Sequence, residues 1–489
     1  MTAPTHIPAI DCTLDHGYLI EASAGTGKTW TLTGIILRLL IEKKYAPKRI
    51  IATTFTRASA SEMQERIQAR ISNFYRYISW LKKKKSTHPH WFYHVGNADK
   101  SQSKNINEIW KQMTEQAGMA GIFDHDDPIN EYLIKQLITD SDPNALTLTI
   151  RHCSLLLTTL DKLFVGTLDS LAQKWLKEFS DQIGYQINTE LSANSDELIY
   201  ALIHDALRRE HVQVAQSPLY ALIDRTVFSD VSSAYKAVAV ALNFYDAPID
   251  MMMSVDEYLT VLDKRLMSIF EIVSVFEPFY ELDYMLSFGF KNSGKVIKEF
   301  GRLKNIIEMI KIHRLDFVNH ISDEDKYFLT KLSDIKKETN FKKGFEVNKQ
   351  TFLNLPLDTL LIISETVNAI HQIPEYYQSH LYHTIAKEVR VLLKNTLERQ
   401  NKSTFTFQMV RLIESLEHSP ELARHIRHHY PVALIDESQD INGLQKRLIE
   451  LVYLDYFKQR RDKGKTATGF LLLVGDPKQA IYRFRGGDV

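Results

Sequence analysis

A run of small residues near the start of the chain ends in Gly27, Lys28 and Thr29. An apolar segment typical of a buried strand, residues 18–20, precedes the run, and a segment with apolar residues at helical spacing follows it. In a turn between a strand and a helix, backbone N–H groups and the helix N-terminus can hold phosphate groups. We therefore predict a phosphate loop made of eight consecutive residues: Ala22, Ser23, Ala24, Gly25, Thr26, Gly27, Lys28 and Thr29.

The last two residues of this loop have separate predicted roles. Lys28 would reach the terminal phosphates of a nucleotide such as ATP, and the Thr29 hydroxyl would bind Mg²⁺. The alternative is a turn that merely caps a buried helix, because Ala22 stands where the usual pattern begins with glycine. The intact Gly-Lys-Thr between a strand and a helix favours the phosphate loop.

Strand-like and helix-like segments alternate at both ends of the chain but not in its middle. Strand candidates lie at residues 18–20, 49–54, 163–165, 432–435 and 470–474. This alternation predicts the α/β class, with a mainly parallel sheet covered by helices on both faces. The pattern is helical in between, as in the apolar face that includes Ile199 and Ile203. We expect residues 1–190 and 401–489 to form one domain, interrupted by an all-helical insertion at residues 191–400.

Two adjacent carboxylates follow the strand candidate at 432–435. Asp436 and Glu437 stand at the predicted C-terminal edge of the sheet, where ligands bind in open α/β folds. Asp436 could hold a Mg²⁺ ion that bridges phosphates, and Glu437 could orient or deprotonate an attacking water molecule. Taken alone, the pair could also be an acidic helix N-terminus. The phosphate loop in the same chain favours the catalytic interpretation.

A third cluster follows the last strand candidate. Gln479 could contact a terminal phosphate or the attacking water, and Tyr482 and Phe484 put two aromatic rings beside Arg483 and Arg485. Aromatic faces next to cations suit the stacked bases of single-stranded nucleic acid. By itself the cluster could also be a turn with packed aromatic side chains.

The composition limits the remaining classes of function. Lysine plus arginine and aspartate plus glutamate number 60 each, so a nucleic-acid site has to come from local patches of charge. Cys12 and Cys153 are far apart and fit no metal-binding spacing, which is typical of a reducing, cytoplasmic compartment. We expect neither a signal peptide nor a membrane span, because the first residues lack an apolar run and no stretch of about 18 apolar residues occurs.

In this order, the motifs resemble those of the UvrD/Rep class of superfamily 1 helicases. The segments IEASAGTGKT (20–29) and GDPKQAIY (475–482) are most similar to the RecB branch of helicase–nucleases, with the AddA type as a near neighbour. The resemblance implies a RecA-like domain that uses ATP and Mg²⁺ to move along single-stranded DNA from 3′ to 5′. It also implies a role in double-strand-break repair and recombination, with duplex DNA and RecC- and RecD-like subunits as partners. The helical insertion would be an accessory subdomain.

The same resemblance assigns DNA contacts outside the phosphate loop. The assigned residues are Thr54, Phe55, Thr56, Thr167, Tyr482, Phe484 and Arg485. Phe55 would stack on a base, as would the two aromatic residues of the third cluster. Asp169 stands where the family usually has histidine, so we expect it to repel a phosphate, and Gln445 matches a glutamine that recurs after the acidic motif. The glutamine that reads adenine in the family has no counterpart at residues 14–17.

The third cluster lies within a few residues of Val489. In the family, a second α/β domain with arginines that reach the nucleotide follows this cluster. We therefore expect this chain to be part of a longer protein and to have little ATPase activity alone. Two other functions stay open: a stand-alone ATP-binding module that regulates a partner without unwinding, and an ATPase that acts on RNA or protein.

Three weaker patterns also have plain structural interpretations. A basic row is formed by Lys291, Lys295, Lys298 and Arg302. This row and the lysine run at 82–85 could follow DNA phosphates, although charge runs are usually solvated surface. His425, His428 and His429 share a helix face, but cationic side chains at a helix C-terminus need no metal to explain them.

Overall fold

The chain is divided into two compact units. The computed structural model describes residues 7–22, 27–92, 102–192, 195–249, 252–292, 294–331, 341–476 and 478. The first unit contains the described residues of Met1–Ala193, Asn243–Asp246 and Leu397–Val489. The second contains those of Asn194–Leu242 and Ala247–Thr396.

A five-stranded parallel sheet organises the first unit. The strands of the described residues are β1 (Gly17–Glu21), β2 (Ile50–Thr53), β3 (Phe164–Gly166), β4 (Glu190–Leu191), β5 (Lys402–Ser403), β6 (Val432–Ile435) and β7 (Phe470–Gly475). The order across the large sheet is β1-β7-β6-β2-β3, and every pair in it is parallel. β4 and β5 pair separately with each other. The predicted mainly parallel sheet is therefore confirmed.

The sheet is buried on both faces by two hydrophobic clusters. In β6, Val432 and Leu434 belong to one cluster, and the residues that alternate with them belong to the other. This arrangement explains why the central strands are almost entirely apolar. Parallel pairing sets Thr53 opposite Ile435, so that neighbouring strands end at the same edge of the sheet.

Helices surround the sheet and build the second unit. In chain order, the first group is α1 (Pro8–Asp11), α2 (Lys28–Ile41), α3 (Arg57–Lys84), α4 (Gln102–Met119), α5 (Pro128–Thr139), α6 (Ala145–Thr159), α7 (Leu168–Glu178) and α8 (Ser180–Ile183). The next group is α9 (Asp196–Val214), α10 (Val231–Asn243), α11 (Val255–Ser274), α12 (Leu282–Phe288), α13 (Lys295–His313), α14 (Asp323–Thr330), α15 (Glu346–Leu353), α16 (Leu361–His371) and α17 (Ile373–Arg399). The last group, again in the first unit, is α18 (Phe405–His418), α19 (Pro420–His429), α20 (Gly443–Ile449) and α21 (Asp455–Asp462).

The second unit packs its helices around aromatic side chains. Phe279 lies edge-on to Phe290 and Phe352, with ring centroids 6.4 and 5.4 Å away. An isolated antiparallel bridge joins Phe290 to Phe341, and the other regular elements among the described residues of this unit are helical. Over the described residues of both units, no helix is long and apolar enough to cross a membrane.

Candidate nucleotide site and adjoining groove

The C-terminal edge of the sheet carries the two predicted acids. β6 ends at Ile435, and the backbone N–H of Asp436 still donates to the carbonyl oxygen of Thr53 in β2, at 2.8 Å. Glu437 then takes a left-handed conformation with φ of 50°, which is uncommon for a residue with a Cβ atom. The chain turns away from the sheet at this residue into a 3₁₀ segment, Ser438–Asp440. Both acids are thereby held at the edge where the neighbouring strands end.

Lys28 and Glu437 form an ion pair at this edge. Gly27 has φ of 85°, a conformation that glycine adopts without strain, and α2 begins at the next residue. The Lys28 side chain is only 9% exposed, and its Nζ lies 3.0 Å from Glu437 Oε2. Burial of an ammonium group is costly unless it has such a partner. The start of the loop is held too, because the N–H of Ala22 donates to the carbonyl oxygen of Gly475, at 3.0 Å.

Asp436 lies in an environment that favours its neutral form. Burial, and then the negative charge of Glu437, raise the pKa of Asp436 to about 6, although the N–H of Glu437 and the charge of Lys28 act in the opposite direction. The Lys28 ammonium therefore does not offset the combined effect of burial and the charge of Glu437 on Asp436. An additional cation beside Asp436 would restore its ionised form.

A buried amide that the sequence analysis did not single out holds Glu437 in place. Gln439 Nε2 donates to Glu437 Oε2 at 2.8 Å and to Asp440 Oδ2 at 3.1 Å. Its Oε1 accepts from the backbone N–H of Asp476, at 3.0 Å. Gln439 thereby links the end of β6 to the end of β7. A polar residue two positions after the acids was a weak signal, because a surface turn has the same composition.

Gly475 permits this close approach. A Cβ atom at this position would lie 2.6 Å from both Gln439 Oε1 and Ser438 Oγ, which is shorter than real contacts allow. The glycine at the end of β7 is therefore required by space rather than by an unusual φ.

A groove of about 330 Å³ adjoins the ion pair. Its described lining residues are Thr53, Thr54, Phe55, Thr56, Thr167, Leu168, Asp169, Asp436, Glu437, Asp440, Ile441, Asn442 and Gln445. The structure thus brings the ends of three strands together with four of the residues assigned to DNA. These described residues include four carboxylates and no lysine or arginine.

Two helices begin at this groove, and the assigned threonines cap them. Thr56 Oγ1 accepts from the N–H of Ser59 at the start of α3, at 3.0 Å. Thr167 Oγ1 accepts from the N–H of Ser170 at the start of α7, and Ser170 Oγ accepts in return from the N–H of Thr167. Helix N-termini carry partial positive charge and free N–H groups that favour anions. The N-termini of α3 and α7 could therefore bind phosphate groups, whereas the described side chains that line the groove provide no lysine or arginine for this purpose.

Asp169, the acid that stands where the family usually has histidine, accepts a hydrogen bond from a neighbouring side chain. Gln445 Nε2 donates to Asp169 Oδ1, at 3.2 Å. The same glutamine closes a capping box at the start of α20, where its Oε1 accepts from the N–H of Asn442. This bond positions the Asp169 carboxylate but leaves its negative charge in the groove.

Other assigned residues lie outside the described part of the chain. They are Ser23, Ala24, Gly25, Thr26, Gln479, Tyr482, Phe484 and Arg485. Thr29 is placed in the first turn of α2, next to Lys28. Among the described residues, Lys28, Asp436 and Glu437 therefore come together, and their convergence joins segments about 400 residues apart.

Several side chains of the two basic segments contact acidic or aromatic residues of the protein itself. Arg302 pairs with Asp325 and Glu324, and Lys295 lies 3.6 Å from Glu299. Lys291 precedes α13 and does not share its helical face. In the run at 82–85, Lys84 and Lys85 each lie over an aromatic ring.

The three histidines of α19 also have contacts within the protein. His425 Nδ1 is 3.1 Å from Gln182 Oε1, and the His429 ring meets Phe179 edge-on. Among the described residues they form no metal-ligand group with acids or cysteines.

Comparison with known proteins gives the family. Residues 5–489 match the family described as the UvrD/REP helicase N-terminal domain. The chain belongs to this family. RecBCD enzyme subunit RecB of Haemophilus influenzae is 25% identical over 509 residues, which cover 96% of this chain and 37% of that protein. The same subunit of Escherichia coli is 25% identical over 484 residues, with 96% and 35% covered.

A second group of similar proteins consists of ATP-dependent helicase/nuclease subunits. An ATP-dependent helicase/nuclease subunit of Staphylococcus saprophyticus is 22% identical over 490 residues, which cover 96% of this chain and 34% of that protein. The chain thus spans about a third of the length of these relatives. The resemblance to UvrD/Rep helicases of the RecB and AddA types is confirmed.

Proposed function

We propose that this chain is the ATP-binding motor part of a DNA helicase or translocase of the RecB type. The observation that carries the proposal is the convergence of Lys28, Asp436 and Glu437 at the C-terminal edge of a parallel sheet. A buried lysine after a left-handed glycine, opposite two carboxylates, is similar to the arrangement that P-loop NTPases use for phosphoryl transfer.

The residues present fit ATP together with Mg²⁺. The N-terminus of α2 and Lys28 would hold the phosphates, in a loop formed by residues 22–29. Thr29 and Asp436 would hold Mg²⁺, and the raised pKa of Asp436 indicates that added positive charge is favourable beside it. When bound, Mg²⁺ would neutralise charge on the phosphates.

Glu437 is the proposed general base. In the structure its Oε2 accepts from both Lys28 and Gln439, so its position is determined from two sides. It would orient a water molecule toward the terminal phosphate and accept its proton. Gln479 would contact the same phosphate or the water. Gln439 is a positioning residue, because it acts through Glu437.

The adjoining groove is the proposed path of single-stranded DNA. Phe55, with Tyr482 and Phe484 of the third cluster, would stack on bases, and Arg485 would contact the strand. Because the charged side chains among the described lining residues are acidic, phosphates would meet the N-termini of α3 and α7 instead. Movement from 3′ to 5′, action on duplex ends and assembly with RecC- and RecD-like subunits extend the proposal to the whole protein.

The proposal is tested by nucleotide and DNA binding of the chain. We expect a fluorescent ATP analogue to bind in the presence of Mg²⁺, and Lys28→Ala to weaken binding at least tenfold. Lys48→Ala, which removes an exposed lysine of the same unit, is the control and should bind normally. Single-stranded DNA should bind and be weakened by Phe55→Ala. Nucleotide binding with no DNA binding would favour a regulatory module, and preference for RNA would favour an RNA-dependent ATPase.

A further inference from the structure

Three potential metal ligands of the second unit lie together after α13. His313 is the last residue of this helix, Asp316 lies in the 3₁₀ segment Arg314–Asn319, and His320 follows directly. One nitrogen of each imidazole and one carboxylate oxygen all lie within 4.8 Å of one another. They are not among the described residues of the nucleotide site or the groove.

We propose that His313, Asp316 and His320 bind a divalent transition-metal ion, with Zn²⁺ as the natural occupant. Two imidazole nitrogens and one carboxylate oxygen form a donor set that Zn²⁺ accepts, with a water molecule as fourth ligand. Bonds of about 2.1 Å to a tetrahedral ion place ligand atoms roughly 3.4 Å apart. The three observed atoms, which lie within 4.8 Å of one another, have to move closer to reach that spacing.

The Asp316 carboxylate is already oriented by hydrogen bonds. Asp316 Oδ1 accepts from Asn319 Nδ2 at 2.8 Å, and Asp316 Oδ2 lies 3.2 Å from His320 Nε2. A hydrogen-bonded partner behind a ligand fixes the direction of its free oxygen, as around many metal sites.

The two imidazoles are close enough to share an ion. Their ring centroids are 4.0 Å apart, and the planes are inclined by 23°. Because the planes are nearly parallel, one ring has to turn about its Cβ–Cγ bond to face the ion. The His320 side chain is 46% exposed and has room for this rotation.

Arg314, the one lysine or arginine between the proposed ligands in sequence, is already paired. Arg314 follows His313 directly, but its guanidinium is paired with both oxygens of Asp263 in α11, at 2.8 and 2.7 Å. A bound ion would tie the end of α13 to the segment that leads into α14. The expected role is therefore to stabilise the second unit.

The experiment is a Co²⁺ titration of the whole chain, freed of metal by a chelator, followed by visible absorption. Co²⁺ replaces Zn²⁺ in such sites, and its absorption reports low-coordinate binding. We expect one ion per chain, displaced by one equivalent of Zn²⁺. Asp316→Asn and His320→Ala should each weaken binding at least tenfold. His425→Ala, which removes a histidine of α19 in the other unit, is the matched control and should bind as the wild type does.

Two results would overturn the proposal. One is the absence of a stoichiometric absorption band at micromolar protein. The other is unchanged affinity after both substitutions, which would assign the metal to other histidines. Because His320 is exposed and Asp316→Asn preserves the shape of the side chain, far-ultraviolet circular dichroism should confirm that the variants fold. None of these readouts depends on ATP or DNA.

Discussion

Gln439→Ala tests whether a buried amide holds the proposed base in position. Gln439 is 6% exposed and makes three hydrogen bonds. Two hold the carboxylates of Glu437 and Asp440 after β6, and the third joins this segment to the end of β7 at Asp476. Alanine removes all three and leaves the N–H of Asp476, a residue that is itself 6% exposed, without this acceptor.

The magnitude follows from the kind of bond that is lost. Hydrogen bonds to charged groups contribute about 1.5–3 kcal/mol each, and a neutral one about 1 kcal/mol. The Glu437 side chain is 35% exposed, so in the variant water can replace part of the hydrogen bonding that the Gln439 amide provides. We expect the free energy of unfolding to fall by about 3 kcal/mol. A displaced Glu437 should also lower ATP turnover of the active protein by up to about 100-fold, since misplacement by about 1 Å has such effects.

The assay is urea unfolding followed by tryptophan fluorescence. Trp30, Trp80, Trp91, Trp110 and Trp175 all belong to the first unit, so the signal reports the unit that contains the site. Gln173→Ala is the matched control, because its Nε2 donates a single neutral bond to Gln408 Oε1, at 3.1 Å. Gln173→Ala should lower the free energy of unfolding by about 1 kcal/mol. The reasoning is refuted if Gln439→Ala unfolds at the same urea concentration as the wild type, with the same slope.

Three further substitutions have defined outcomes. The pKa of Asp436 is about 6 in the folded protein, against 3.8 for an ordinary aspartate, so its negative charge destabilises the folded state at high pH. Asp436→Asn should therefore raise the free energy of unfolding by about 3 kcal/mol at pH 8. This gain should disappear as the pH falls through 6 toward 4. Gly475→Ala should destabilise by about 2 kcal/mol, because its Cβ would meet Gln439 and Ser438 at 2.6 Å. Asp169→His should strengthen single-stranded DNA binding about tenfold at low salt, as measured by fluorescence anisotropy, because it removes a negative charge from the groove.

Each of these expectations has its own contrary result. A pH-independent effect of Asp436→Asn would show that burial does not perturb its titration. If Gly475→Ala were as stable as the wild type, the ends of β6 and β7 could move apart without loss of stability. Unchanged DNA affinity of Asp169→His would place the strand outside the groove, and Asp161→His, at an exposed position of the same unit, is the control for added charge.

Local sequence patterns were sufficient to predict the strand that ends at the two acids and the turn that carries Lys28. The strand at 432–435 is readable because a buried parallel strand is apolar on both faces, and the two acids that follow mark its end. The glycine and lysine before α2 are readable because a turn between a strand and a helix imposes strict local geometry. The α/β class follows from the same alternation of strands and helices.

Hydrogen bonds between the ends of different strands could not be predicted from local patterns. The strand order places β7 between β1 and β6, and only this order brings Gln439 onto the backbone of Asp476. The bond from Gln445 to Asp169 joins residues 276 positions apart and likewise has no local signature. Periodicity records which face of an element is buried, whereas a hydrogen bond between the ends of different strands depends on how the chain crosses over. For that reason local patterns predicted Lys28, Asp436 and Glu437, whereas the hydrogen bonds that hold Glu437 and Asp169 depend on how the strands and helices pack.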